Sequence, residues 1–312
     1  MILSVSRRTD IPAFYSNWFF NRIKQGFLLV RNPMNAHQVS RVVLNPEVID
    51  CIVFWTKNPR PMLRRLEELK EYKYYFQFTL NSYDKSLEPN VPRKKYLINT
   101  FKELSEKIGK EKVIWRYDPI ILTDIFTKEY HYKWFEYLAK ELCNYTNKCV
   151  ISFLDLYKKT ERNLKGIKVI PLNKIDMEEI AAKISSIASK YNLIIETCSE
   201  KIELDKFGIN HGKCIDDRLI CKILGCNFNI DKDPNQRQIC GCVKSIDIGA
   251  YNTCKHECLY CYANFSRESV RKHALIHNSR SPLLIGELKG NEKITDRKVK
   301  SYIEKEQQIK FL

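Results

Sequence analysis

The sequence predicts an α/β protein: a TIM-type (β/α) barrel, complete or partial, carrying a cysteine-rich insertion. Three observations predict it. Short apolar runs alternate with longer amphipathic stretches along the 312 residues, the pattern of parallel strands joined by helical crossovers. Polar residues recur directly after those runs, at Arg7, Thr9, Asp10, Thr56, Lys57, Arg116, Asp118, Asp155 and Cys198, and parallel barrels keep their working side chains at strand C-terminal ends. Between residues 199 and 244 long apolar runs stop and five cysteines appear.

The elements follow in chain order. Residues 2–7 read as a buried strand, and a helix covers 13–25, ended by Gly26. Residues 27–31 and 39–44 read as two short strands around Asn32-Pro33. A strand at 50–55 ends in Thr56-Lys57-Asn58-Pro59, and a helix then runs to Glu71. The aromatic run 74–80 is a strand, Leu87-Glu88-Pro89-Asn90-Val91-Pro92 a turn, and the next helix stops at Gly109. Strands at 113–119, 149–154 and 193–197 are separated by helices at 128–142 and 176–190. A strand at 245–251, a helix at 264–276, a short strand at 282–286 and a charged helical tail at 289–312 complete the reading. The organisation is thus a barrel portion 1–198, an insertion 199–244, a further barrel strand with its loop at 245–288, and the tail.

Formal charge is +16 and aromatic residues make up 12%, which suits phosphate contacts and base stacking. That composition raises one alternative: a non-catalytic nucleic-acid-binding protein stabilised by zinc or an iron–sulfur cluster. The positive residues are dispersed, as on an ordinary lysine-rich surface. No apolar run approaches the length of a membrane span. Twelve cysteines without an export signal at the N-terminus predict metal thiolates in a cytoplasmic protein rather than a disulfide framework.

Cys254, Cys258 and Cys261 form a C-x3-C-x2-C pattern. Three thiolates fill three irons of a [4Fe–4S] cluster and leave the fourth open. An open metal position serves chemistry, whereas zinc in a structural site takes four ligands and would have to borrow one here. Cys198, Cys214, Cys240 and Cys242 are expected to hold a second, closed [4Fe–4S] cluster, with zinc as competitor. Cys221 reads as helix packing, and Cys226 is the substitute ligand. Cys51, Cys143 and Cys149 read as small buried hydrophobes.

The three-cysteine loop resembles the cluster loop of the radical S-adenosylmethionine (SAM) superfamily, and Cys261-Tyr262-Ala263-Asn264 resembles the subgroup around spore photoproduct lyase. Arg8-Thr9-Asp10-Ile11-Pro12, Phe54-Trp55-Thr56-Lys57, Leu87-Glu88-Pro89 and Tyr117-Asp118-Pro119-Ile120-Ile121 are similar to later segments of that subgroup, in the same order. The chain therefore resembles a circular permutation of it, and from end to end it resembles an uncharacterised domain-of-unknown-function family, number 1848. The resemblance implies that Cys254, Cys258 and Cys261 hold the cluster that binds SAM. Lys57 would pair with the SAM carboxylate, and Ser6, Thr9 or Asp10 would meet its amino group. Thr79, Arg116 and Asp118 would face ribose or substrate, Asp118 in a catalytic place; apart from the resemblance, the strand position of Cys51 gives it, as the lesser alternative to core packing, the role of hydrogen-atom donor to a product radical. The implied activity is reductive cleavage of SAM followed by hydrogen abstraction from a substrate, nucleic acid being one candidate. Flavodoxin or ferredoxin is the implied reductant.

Overall fold

The computed structural model describes residues 1–156 and 158–303. The first half of the chain comprises β1 (Ile2–Val5), α1 (Ile11–Phe14), α2 (Ser16–Gln25), β2 (Phe27–Arg31), β3 (Gln38–Val43), β4 (Cys51–Thr56), β5 (Tyr74–Thr79), α3 (Lys94–Ile108), β6 (Val113–Ile120) and α4 (Lys128–Leu142). The second comprises β7 (Lys148–Phe153), α5 (Lys158–Asn163), α6 (Lys174–Lys190), β8 (Ile194–Cys198), β9 (Asn210–Gly212), α7 (Asp217–Leu224), β10 (Ile246–Asp247), α8 (Arg267–Leu275) and β11 (Lys293–Asp296).

Eight strands form one parallel sheet in the order β10-β1-β4-β5-β6-β7-β8-β9. The late strand β10 lies beside the first strand, with Leu3 opposite Ile246 and Ser4 opposite Asp247. Near-continuous apolar runs such as Cys51–Thr56 mark strands covered on both faces. One face packs against helices. There Phe54 stacks on Phe76 with centroids 4.6 Å apart and meets the edge of Phe19 at 5.4 Å, and Trp115 stacks on Phe135 of α4 at 5.0 Å. The other face gathers Ile2, Cys51, Val53, Tyr75, Ile114 and Val150 into one cluster with Cys214, Ile215, Cys242 and Val243. The cysteine-rich segment therefore packs over the inner side of the sheet.

β9 and β10 stand at opposite ends of the strand order, and no ladder joins them among the described residues. The gap is crossed by the segment leading into β10. Val243 N–H donates to Ile215 O at 3.3 Å, and Ile215 N–H donates to Cys242 Sγ at 3.4 Å.

Several expectations are corrected. The two short strands read around Asn32-Pro33 are present as β2 and β3, and with β11 they form a separate three-stranded sheet. Part of the expected helical tail is thus a strand, because residues 293–296 find the free edge of β3 in parallel register; positions 304–312 of that tail lie outside the described residues. The expected helix 13–25 is two helices that meet at Tyr15, whose hydroxyl donates to Thr253 O at 2.7 Å. The segment Arg60–Leu69 winds as a 3-10 helix, with Pro59 and Pro61 at its start. The strand predicted at 245–251 shrinks to Ile246–Asp247, and that at 282–286 to a single bridge between Leu29 and Leu283.

Phe54 has no exposed surface and contacts aromatic rings on two elements. Phe54→Ala is expected to lower the unfolding free energy by about 3–5 kcal/mol, with Phe54→Leu costing less. Denaturant titration followed by tryptophan fluorescence measures both.

Candidate functional site

A cavity of about 750 Å³ opens where the parallel strands end. It is lined by residues 6–10 after β1, 55–57 of β4 and its exit, Thr79, Arg116 and Asp118, residues 152–155, residues 198–200, Cys214, and stretches of 236–242 and 251–264. The cavity brings together Ser6, Thr9, Asp10, Lys57, Thr79, Arg116, Asp118, Cys198, Cys214, Cys240, Cys242, Cys254, Cys258 and Cys261. Cys51 is not among them. It begins β4, lies in the inner apolar cluster and has no exposed surface, and burial pushes its thiol up. Its expected place beside a reacting radical is therefore corrected: strand alternation turns it inward at the far end of β4 from Thr56.

The loop after β10 is built on buried hydrogen bonds. Asp247 accepts from Ser4 Oγ at 2.9 Å, Ser6 Oγ at 2.7 Å, the Arg7 and Gly249 backbone N–H groups at 2.9 and 3.0 Å, and Arg8 Nε at 3.1 Å. Burial pushes its carboxyl up, but Arg8 and these donors together hold it below the usual range. Gly249 is required here, because a Cβ would stand 2.0 Å from Ser6 Oγ. Thr9 Oγ1 donates to Ala250 O at 2.9 Å and lies 2.6 Å from Thr253 Oγ1. Asp10 caps α1 through Ala13 N–H at 3.0 Å, and it also accepts from Thr56 Oγ1, Lys57 N–H and His256 Nε2 at 2.7, 2.7 and 2.9 Å. Ser6, Thr9 and Asp10 therefore brace the loop and the strand ends. The expected contact with an amino group would have to compete with these internal bonds.

Lys57 differs in the same way. Its ammonium donates to Glu88 Oε1 at 2.7 Å and Tyr260 Oη at 2.9 Å, while Lys94 donates to the other Glu88 oxygen at 2.6 Å. Burial alone would raise the Glu88 carboxyl, yet the two lysines hold it down to about 2. Lys57 shifts up, since Glu88 and the neighbouring Cys258 outweigh burial; Lys94, competing for the same carboxylate, shifts down through burial.

The seven cavity cysteines fall into two sets. Cys254, Cys258 and Cys261 sit in the loop within one another's electrostatic reach, and burial pushes all three thiols up. Cys198 Sγ lies 3.0 Å from Cys214 Sγ, which accepts Arg116 Nη1 at 2.8 Å. Cys214 contacts Cys242, and a hydrogen bond from Cys242 pulls the Cys240 thiol down to about 7 against its burial. The four thiols chosen from six are thus contiguous, whereas Cys221 and Cys226 lie outside the cavity. Among the described residues no three His, Cys, Asp or Glu side chains converge as a single metal ion requires. Cys198, Cys214, Cys242 and Cys240 meet in a chain of close thiols and Cys254, Cys258 and Cys261 share one loop, and thiolates are the donors that iron–sulfur clusters take. Buried thiols held in the neutral form also need a nearby cation before they ionise. The donor set fits iron–sulfur clusters on these two grounds.

Asp118, which Arg116 Nε meets at 2.9 Å and Ser152 also contacts, is held below the usual carboxylate range by Arg116 against the opposing effect of burial. Sequence reasoning assigned no role to Glu88, His256, Tyr260 or Glu200. Glu88 had a signal in the Leu87-Glu88-Pro89 turn. His256, inside the cysteine loop, bonds Asp10 through Nε2 and leaves a buried Nδ1 without a partner among the described residues. Glu200 follows Cys198 by two residues, and burial together with Asp155 and Asp118 pushes its carboxyl to about 7.

Fold and cavity define an α/β protein with a large parallel sheet and a cysteine-lined chamber at its strand ends. A family model described as a domain of unknown function, DUF1848, matches residues 2–263, and the chain belongs to that family. No curated protein and no solved structure matches it. No helix among the described residues is long and apolar enough to cross a membrane.

Glu88 is 1% exposed and is the shared counter-charge of Lys57 and Lys94. Glu88→Gln strands both charges and is expected to destabilise the protein by about 3–5 kcal/mol near neutral pH. A depressed carboxyl contributes stability above its ordinary value of 4.5 and loses it as pH falls toward about 2. The gap between wild type and Glu88→Gln should close across that window, read by denaturant titration at each pH.

Proposed function

We propose that the chain is a radical SAM enzyme on a circularly permuted (β/α) barrel that the chain bridges rather than closes with a ladder. The observation that carries this reading is the meeting of Cys254, Cys258 and Cys261 with a second set of four cysteines in one cavity at strand C-terminal ends. The permutation is supported by β10 preceding β1 in the sheet: the strand that delivers the cysteine loop comes late in the chain but stands first in strand order. A cavity of this size lies in the range that encloses a cofactor-sized ligand.

Cys254, Cys258 and Cys261 would hold a cluster, and that cluster would supply the one electron that reductive cleavage of SAM to methionine and a 5′-deoxyadenosyl radical requires. The chain's own residues position and exclude. Asp10 and Thr9 fix the loop against β1 and β4. Lys57 and Tyr260, tied to Glu88, place a positive charge beside Cys258 and favour its thiolate. Trp55, Phe153 and Leu154 supply apolar wall that keeps water from a reactive species. Asp118, fixed by Arg116 and Ser152, offers an ionised acceptor to a hydroxyl of ribose or substrate. Cys198, Cys214, Cys240 and Cys242 would hold a second cluster able to relay an electron or bind substrate, and a flavodoxin or ferredoxin would be the reductant.

Anaerobic reconstitution with iron and sulfide tests the reading. About eight irons per chain are expected, falling to about four when Cys254, Cys258 and Cys261 are replaced by serine. Reduced wild type should form 5′-deoxyadenosine from SAM, and the triple variant none. A full iron complement with no 5′-deoxyadenosine, or bound zinc in place of iron, overturns it.

A further inference from the structure

Five arginines and lysines line the cavity: Arg7, Arg8, Lys57, Arg116 and Arg237. Four are ion-paired, Arg8 with Asp247, Lys57 with Glu88, Arg116 with Asp118 and Arg237 with Asp155. Arg7 forms no ion pair among the described residues. Asp247 lies within its electrostatic reach, but takes Arg7 only through the backbone N–H, at 2.9 Å, and gives its ion pair to Arg8. The Arg7 guanidinium is held instead over the Trp55 ring, 5.4 Å from the centroid. Among the described residues its side chain makes one hydrogen bond, a long one from Nη2 to Ser245 Oγ at 3.4 Å. Cys242 and Cys214 are also within its electrostatic reach, yet the hydrogen bond to Cys214 Sγ comes from Arg116.

We infer that Arg7 receives an oxyanion carried by the substrate, a carboxylate or a phosphate, an inference that rests on the cavity being the reaction chamber. A guanidinium presents five N–H donors, and the Ser245 contact uses one of them. The Trp55 contact anchors the group without using any. The remaining donors suit two parallel bonds to an oxyanion, the geometry a guanidinium takes with carboxylate and phosphate alike. A neutral amide or hydroxyl would leave the charge uncompensated, and a metal cation would be repelled. Lys57 stands beside Cys258 of the loop set, whereas Arg7 stands toward Cys242 and Cys214. The anion Arg7 takes therefore belongs to the substrate rather than to SAM. Trp55, Phe153 and Leu154 line the same cavity and would cover the apolar body that carries the oxyanion.

Benzoate and phenyl phosphate carry the two oxyanions on one ring, benzyl alcohol carries neither, and the three serve as the probes. Each is titrated calorimetrically into the anaerobically reconstituted protein at neutral pH. Wild type should bind at least one of the anions more tightly than the alcohol, and the tighter anion identifies the group. Arg7→Gln should weaken that anion about tenfold or more and leave the alcohol unchanged. Arg7→Lys keeps the charge, loses the paired donors and should weaken it about threefold. The Arg7→Lys result stands by itself if Arg7→Gln does not fold. Lys133→Gln removes an exposed charge on α4, outside the cavity, and should change none of these affinities. Three results overturn the inference: anions that bind no better than the alcohol, anions that bind equally to wild type and every Arg7 variant that folds, and an equal loss in Lys133→Gln. A parallel loss of SAM affinity in Arg7→Gln would also overturn it, by giving the charge to the cofactor. Oxyanion selectivity without 5′-deoxyadenosine formation would fault the proposed activity and leave this subsite standing; the reverse result would fault the subsite alone.

Discussion

The Asp247 carboxylate holds the two ends of the main sheet's chain path together, and the cavity depends on it. β10 contributes only two residue pairs to its ladder with β1, too few to fix a strand by backbone bonding alone. Asp247 adds bonds from two serine hydroxyls, two backbone N–H groups and the Arg8 guanidinium. Because these donors come from residues 4–8 and from 249, the same group orients the strand, the exit of β1 and the start of the cysteine loop. Gly249 allows this closeness, since any side chain would enter the space of Ser6.

From that anchor the cavity walls acquire distinct electrostatic characters. Around the loop cysteines, Lys57 and Lys94 share the buried Glu88, so an excess positive charge lies next to Cys258. Around the second set, Arg116 donates to Cys214 and Arg7 lies within electrostatic reach of Cys242 and Cys214. Each thiol group is therefore accompanied by a buried cation, the environment that lets sulfur ionise once a metal arrives. Beyond them, after β8, Glu200 accepts the Phe153 N–H and feels both Asp155 and Arg237.

The alternation of strands and helices was legible because both faces of the parallel strands are buried, which writes apolar runs such as Cys51–Thr56 directly into the sequence. That Cys198, Cys240 and Cys242 gather at the strand ends was legible too, from a strand end and a Cys-Gly-Cys turn. The tail was misread because charge and helix propensity are local, whereas the strand at 293–296 exists only where β3 offers an edge. Ser6, Thr9, Asp10 and Lys57 were placed at the cavity, but their hydrogen-bond partners come from Asp247, Ala250, His256 and Glu88, far away in sequence, and no local pattern encodes those pairings.

What the sequence by itself determined is the parallel α/β pattern, the two sets of cysteines and the positions where strands end, because periodicity and spacing are properties of neighbouring residues. What the tertiary structure decided is which charges neutralise one another. Lys57 is committed to Glu88, Asp10 to His256 and Asp118 to Arg116, and the first two of those outcomes depend on distances across the fold that only the folded chain sets.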